Sequence, residues 1–97
     1  MARAYVYILA SYKNGTLYIG ITNNLHERLR EHKENKHPRS FTSQYSVHRL
    51  VYFETFDTIG EAIDREKRLK KWNRQWKIDL IEKGNPGWRE LNLSWND

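Results

Sequence analysis

Cysteine is absent from the 97 residues. That excludes a disulfide framework and any thiolate metal site. Long apolar runs are missing as well: no stretch approaches the roughly 20 residues that span a bilayer. The N-terminus does not read as a secretory leader, because Arg3 is followed by a short alternating run and not by an apolar block. The expectation is a soluble, cytoplasmic protein with no membrane partner. The length makes one domain, residues 1–97, in which roughly two-thirds of the unfolded surface is buried around a modest core. No internal repeat and no low-complexity segment interrupts it.

Acidic residues are in short supply. Seventeen Lys and Arg stand against twelve Asp and Glu, for a net charge of +5, and 13% of the residues are aromatic. This balance points to a polyanion partner, most often nucleic acid; a domain that is merely basic is the plainer alternative. The location of the charge is more telling. From Arg65 to Lys77 seven basic residues face one acid, Glu66, so that stretch alone carries +6.

Tyr5-Val6-Tyr7-Ile8-Leu9-Ala10 is short, aromatic and β-branched, and reads as a strand. Asn14-Gly15 signals a hairpin, and Thr16 to Gly20 returns as the second strand. A two-residue loop at Asn14-Gly15 would set Ser11 opposite Tyr18 and Tyr7 opposite Thr22, placing Tyr7 and Tyr18 on one face. Two core tyrosines are the plain reading of that pair. Asn24 and Glu27 resemble a capping box that opens a helix from about Leu25 to Asn35, with Leu25, Leu29 and His32 as its stripe. Arg28 and His32 are i,i+4 neighbours at the edge of that stripe. A histidine there is commonly a core residue, but Arg and His together also suit a site that handles an anion. Lys36 to Ser40 is a basic loop, either a plain connector or one whose Arg39 and Ser40 touch a phosphate.

Leu50 to Phe56 is the third strand, apolar enough to be central or covered on both faces. Thr58 with Glu61 forms a capping box for a helix that runs to about Trp72. Asn73-Arg74-Gln75 breaks it, and a further helix lined by Trp76, Leu80 and Ile81 is closed by Gly84, with Pro86 beyond. Trp88, Leu91, Leu93 and Trp95 in the tail are expected to fold back over the core.

Glu66 is out of place in this pattern. On a helix starting at Thr58, the apolar residues Ile59, Ala62, Ile63 and Leu69 gather on one side, and Glu66 falls inside their stripe. An ionised carboxylate facing a core is costly unless it is paired or binds a metal. An i,i+4 pair with Lys70 is the structural reading; a functional carboxylate is the other.

Tyr5-Val6-Tyr7, Tyr18-Ile19-Gly20, Arg28, His32 and Glu66, in that order and spacing, resemble the GIY-YIG nuclease superfamily. The leading glycine of its first tripeptide is replaced here by Tyr5; the second tripeptide is intact. The resemblance covers the whole chain and implies a small stand-alone member. The implied α/β (α+β) fold, a three-stranded antiparallel sheet flanked by helices, agrees with the elements read above.

The resemblance further implies metal-dependent hydrolysis of DNA phosphodiester bonds, with RNA left open as the alternative. Glu66 would hold one Mg²⁺ or Mn²⁺, since Mg²⁺ takes its remaining ligands from water and phosphate. Arg28 would fork onto the scissile phosphate. Tyr7, beside Tyr18, would act as general base or orient the water, which needs its pKa lowered by the cation and Arg28. His32 would take the proton. A late asparagine of the family is matched by Asn85. Arg39, Lys67, Lys70, Lys71 and Arg74 would hold the DNA backbone, with Lys67, Lys71 and Arg74 facing outward; such contacts carry no sequence information. Low sequence specificity, a place in DNA repair or processing, and a targeting partner protein are the corresponding expectations. The alternatives are a nucleic-acid-binding module with little or no catalysis, and a structural or protein-binding domain whose basic stretch is a solvated face.

Overall fold

The computed structural model describes residues 3–34 and 45–93. Its elements are β1 (Ala4–Ala10), β2 (Leu17–Thr22), α1 (Leu25–Lys33), β3 (Arg49–Phe56), α2 (Ile59–Lys71) and α3 (Arg74–Gly84). The three strands form an antiparallel sheet in the order β2-β1-β3. The first strand is therefore the central one, and every residue of it is buried. No described helix is long and apolar enough to cross a membrane.

Alternation along β1 divides the core in two. Ala4, Val6, Ile8 and Ala10 pack with Ile19 and Val51 under Ala62 and Leu69 of α2, Ile81 of α3 and Trp88. Tyr5, Tyr7 and Leu9 pack on the other face with Leu25 of α1, Val47 and Leu50, where Tyr18, Leu29, Phe53, Leu91 and Leu93 close the edges. Trp88, Leu91 and Leu93 thus cover the core as the apolar tail pattern predicts; Trp95 lies outside the described residues.

The hairpin register differs from the two-residue-loop expectation. Ala10 pairs with Leu17 and Leu9 with Tyr18, so the connection is six residues long. Asn14 takes the left-handed conformation (φ 58°), whereas Gly15 does not. Gly15 is required for space: a Cβ there would lie 2.3 Å from Ser11 Oγ, which accepts the Thr16 N–H. The register has moved by two residues, so the parity survives and Tyr7 and Tyr18 still share a face.

β3 is an edge strand, not a central one, although Leu50 and Val51 are buried on opposite faces. Asn24 and Thr58 cap α1 and α2 as predicted, accepting from the Glu27 and Glu61 N–H groups. The apolar stripe of α2 is rotated from its predicted position. Ala62 and Leu69 are buried, but Ile59 and Ile63 are 49% and 38% exposed. The helix instead turns Arg65 and Glu66 inward, because Arg65 reaches Glu54 of β3 through a bidentate pair, Nη2 to Oε2 at 2.9 Å and Nε to Oε1 at 3.0 Å. The Tyr52 hydroxyl donates to the same carboxylate. Trp76, expected to line α3, is 55% exposed. Gly84 is the last helical residue and Asn85 the cap that follows it.

Candidate active site

Tyr7, Tyr18, Arg28 and His32 come together on the α1 face of the sheet. Tyr7 projects from the buried central strand, Tyr18 from the neighbouring edge strand, and Arg28 and His32 from consecutive turns of α1. Three rings form a triangle: Tyr7–Tyr18 centroids are 6.2 Å apart, Tyr7–His32 6.0 Å and Tyr18–His32 5.7 Å, the last two edge to face.

A hydrogen-bond chain runs through this cluster. Arg28 Nε donates to Tyr7 Oη at 3.3 Å. Tyr7 Oη lies 3.2 Å from His32 Nε2. Arg28 supplies the proton on one side of the oxygen, and the imidazole tautomer sets which of Tyr7 Oη and His32 Nε2 donates on the other. Arg28 Nη1 also donates to Glu31 at 3.4 Å, which fixes the guanidinium plane. Glu31 was not among the sequence candidates, though its i,i+3 spacing from Arg28 is the signal that identifies it.

Burial pushes the Tyr7 hydroxyl up from 10.0 to about 12, the Tyr18 hydroxyl adds to the rise, and the pull of Arg28 in the other direction does not offset it. The protein alone therefore keeps Tyr7 protonated near neutrality, instead of lowering its pKa as a free base would require. The hydrogen bond to Tyr7 raises Arg28 above its ordinary value in turn, so its charge is secure.

Glu66 sits in the other layer. It lies on α2, whose buried residues pack on the face of the sheet opposite Tyr7 and Tyr18. Its inward orientation is real, with its side chain 17% exposed, and Lys70 Nζ stands 3.5 Å from its carboxylate. The i,i+4 pair with Lys70, the structural reading, is thus present on a carboxylate that points inward. The two layers meet at the free edge of β2. There Lys70 and Lys77 line an open groove of about 320 Å³ together with Leu17, Tyr18 and Ile19. A second groove of about 470 Å³ runs along the other end of β2 beside Arg28, Asn24 and Glu27.

A divalent cation can be tested against these residues. Among the described residues no cluster of three or more His, Asp and Glu could hold a metal unaided. Glu66 offers one hard, largely buried carboxylate whose cationic neighbour, Lys70, stands at 3.5 Å one turn along the helix. That donor set fits Mg²⁺ or Mn²⁺ completed by water and substrate phosphate, and does not fit a closed structural site.

The remaining candidates separate. Asn85 is buried, and its amide is occupied: Nδ2 donates to the Val51 and Arg89 carbonyls at 3.2 and 2.8 Å, and Oδ1 accepts the Arg89 N–H at 3.0 Å. It ties the end of α3 to β3 and the tail. Arg74 is exposed, and its Nη2 donates to the Asn14 and Gly15 carbonyls at 2.7 Å. Lys67 and Lys71 are exposed as expected. Arg39 lies outside the described residues.

The GIY-YIG catalytic domain matches residues 3–79. A UPF0213 protein of Syntrophus aciditrophicus is 38% identical over 86 residues, which is 89% of this chain and 97% of the relative. A UPF0213 protein of Clostridium perfringens is 43% identical over 77 residues, or 79% and 81% of the two chains. The solution NMR structure of a UPF0213 protein from Bacillus halodurans superposes with a TM-score of 0.56 at 29% identity, covering 90% of each chain. Sequence motifs, sheet order and these likenesses agree, and the chain belongs to the GIY-YIG family, among its small UPF0213 proteins.

Proposed function

We propose that this protein is a metal-dependent endonuclease that hydrolyses phosphodiester bonds in DNA. The observation that supports this most directly is the Arg28–Tyr7–His32 chain, closed by Tyr18 beside the open edge of β2. A purely structural cluster has no need of a buried hydroxyl aligned between a guanidinium and an imidazole.

In this reading the guanidinium of Arg28, its plane held by Tyr7 and Glu31, presents its Nη2 donors to a non-bridging oxygen of the scissile phosphate. Tyr7, kept protonated by burial, orients the attacking water through its oxygen and passes its own proton to His32 Nε2 as it takes one from that water. His32 ends as an imidazolium, with both ring nitrogens protonated. Glu66 would hold the divalent cation, which when bound supplies Lewis-acid polarisation of the phosphate. Lys70, now paired with Glu66, is placed to exchange that carboxylate for a substrate phosphate. Backbone contacts from Lys67, Lys70 and Lys71 give affinity without sequence preference.

Cleavage of a labelled panel of single-stranded, nicked, branched and duplex DNA, with Mg²⁺, Mn²⁺ or EDTA, tests the proposal. Expected is metal-dependent cutting that a folded Glu66→Ala variant loses. Salt-sensitive binding with no cutting on any substrate identifies instead an inert nucleic-acid-binding module of the same fold.

A further inference from the structure

Two aromatic side chains stand out in water at one end of the molecule. Trp76, in the first turn of α3, is 55% exposed, and Tyr12, in the hairpin turn, is 64% exposed. The Arg74 bonds to Asn14 and Gly15 lock that turn onto the start of α3, so both rings belong to the same end. Trp76 is firmly mounted. It meets Trp72 edge to face, with centroids 5.8 Å apart at 88°. Trp72 in turn carries the Arg65 guanidinium over its ring at 5.2 Å, and Arg65 is clamped by Glu54.

Core packing does not account for a tryptophan that leaves most of its surface in water. The charge beside it is mostly basic; Asp79, one turn further along α3, accepts from Gln75 Nε2 at 2.8 Å. Lys71 precedes the Trp72 support and is exposed, and Lys70 is 55% exposed. Lys77 follows Trp76 directly and shares with Lys70 the groove that leads to Tyr18. A duplex offers such a surface only phosphates, because its base faces are hidden in the stack. An unpaired strand offers both phosphates and ring faces, which is the combination of a stacking platform and a basic groove.

We infer that this end of the protein binds an unpaired nucleic-acid strand, with a base stacked on Trp76 and phosphates on Lys70, Lys71 and Lys77. The strand then enters the Tyr18 groove, so the substrate carries unpaired nucleotides next to the cut. Only the position of the cut rests on the nuclease reading; the binding does not.

The test is fluorescence anisotropy in EDTA, so that nothing is cleaved, using a labelled 20-nucleotide DNA, its RNA counterpart and the matching duplex. Wild type, Trp76→Phe and Trp76→Ala are compared, each first checked for a native circular-dichroism melt. Expected is tighter binding of a single strand, DNA or RNA, than of the duplex. Trp76→Ala should weaken that binding about 5- to 150-fold, the range of one lost base stack, while Trp76→Phe restores most of it. Duplex binding should change little in either variant. Equal affinity for single strand and duplex, or single-strand affinity unchanged in Trp76→Ala, overturns the inference. Metal-dependent cleavage by the wild type in a separate assay would leave the nuclease reading standing in that event.

Discussion

Gly20 lies directly opposite Tyr7 across the β1–β2 pair, and a Cβ on it would come within 2.5 Å of both Tyr7 Cζ and Tyr7 Oη. It would also sit 2.8 Å from Tyr18 Cε2. The Tyr7 ring therefore lies across the glycine backbone, and its hydroxyl reaches Arg28 and His32 only because Gly20 has no side chain. The glycine of Tyr18-Ile19-Gly20 is explained by this close approach, and not by a positive φ, which it does not have.

Gly20→Ala must push the buried Tyr7 ring out of line. The expected cost is about 1–3 kcal/mol, the range of overpacking in a dense core. Urea denaturation measures it. Cleavage should fall at least as far as in Tyr7→Phe, which removes only the hydroxyl; a Gly20→Ala protein with full activity would break the link between this contact and the site.

The raised pKa of Tyr7 carries a pH signature. Below pH 10 the phenol is protonated in folded and unfolded chains alike, and the stability linked to it is fully present. Between the unfolded value near 10 and the folded value of about 12 the unfolded chain releases the proton first. Stability therefore declines across that window, by about 2–3 kcal/mol for a shift of this size. Burial and the neighbouring Glu54 push Tyr52 upward as well. The informative quantity is thus the difference between wild type and Tyr7→Phe in denaturation at pH 9 and pH 11.5, with the variant losing less.

Arg28→Lys keeps the charge and loses the geometry. A lysine cannot donate to Tyr7 and present a planar fork to phosphate together. Cleavage is expected to drop about 10²–10³-fold, as for loss of one preorganised donor. Binding in EDTA should change far less, because the charge remains, and the ratio of the two effects is what the experiment reads.

Asn85→Ala should behave in the opposite way. It leaves the Val51 carbonyl and the Arg89 backbone short of partners at a buried position. A loss of about 1–3 kcal/mol follows for each group stranded without water. Assayed well below its melting temperature, the variant should keep wild-type cleavage per folded molecule. A stable Asn85→Ala protein without activity would return Asn85 to the site.

Arg74→Ala separates structure from binding in the basic stretch. It removes two hydrogen bonds to the hairpin turn and should lower the melting temperature. Lys71→Ala should leave stability alone and reduce the salt dependence of DNA binding by roughly one charge contact.

What the sequence determined by itself are the local and periodic features. Strand alternation separates Tyr5, Tyr7 and Leu9 from Val6 and Ile8. The caps at Asn24 and Thr58 start their helices where hydrogen-bonding side chains meet free N–H groups. The i,i+4 spacing brings Arg28 beside His32, and strand parity keeps Tyr7 with Tyr18 despite a register two residues from the expected one. These outcomes depend on chemistry within a few residues, or on a period that a two-residue slip does not change. Tertiary structure alone decided the rest. Rotation of α2 was set by Arg65 finding Glu54, a partner eleven positions away on another element, and this left Ile59 and Ile63 in water. The same rotation and the sheet's two-sided packing put Glu66 in the layer opposite the tyrosines, with its partner Lys70 in the groove beside Tyr18 at the edge of β2. Asn85 and Arg74 were claimed by backbone carbonyls that only the folded chain brings within reach. Long-range pairing selects among local possibilities that the periodic pattern leaves equal, and so the outcome is visible only in the fold.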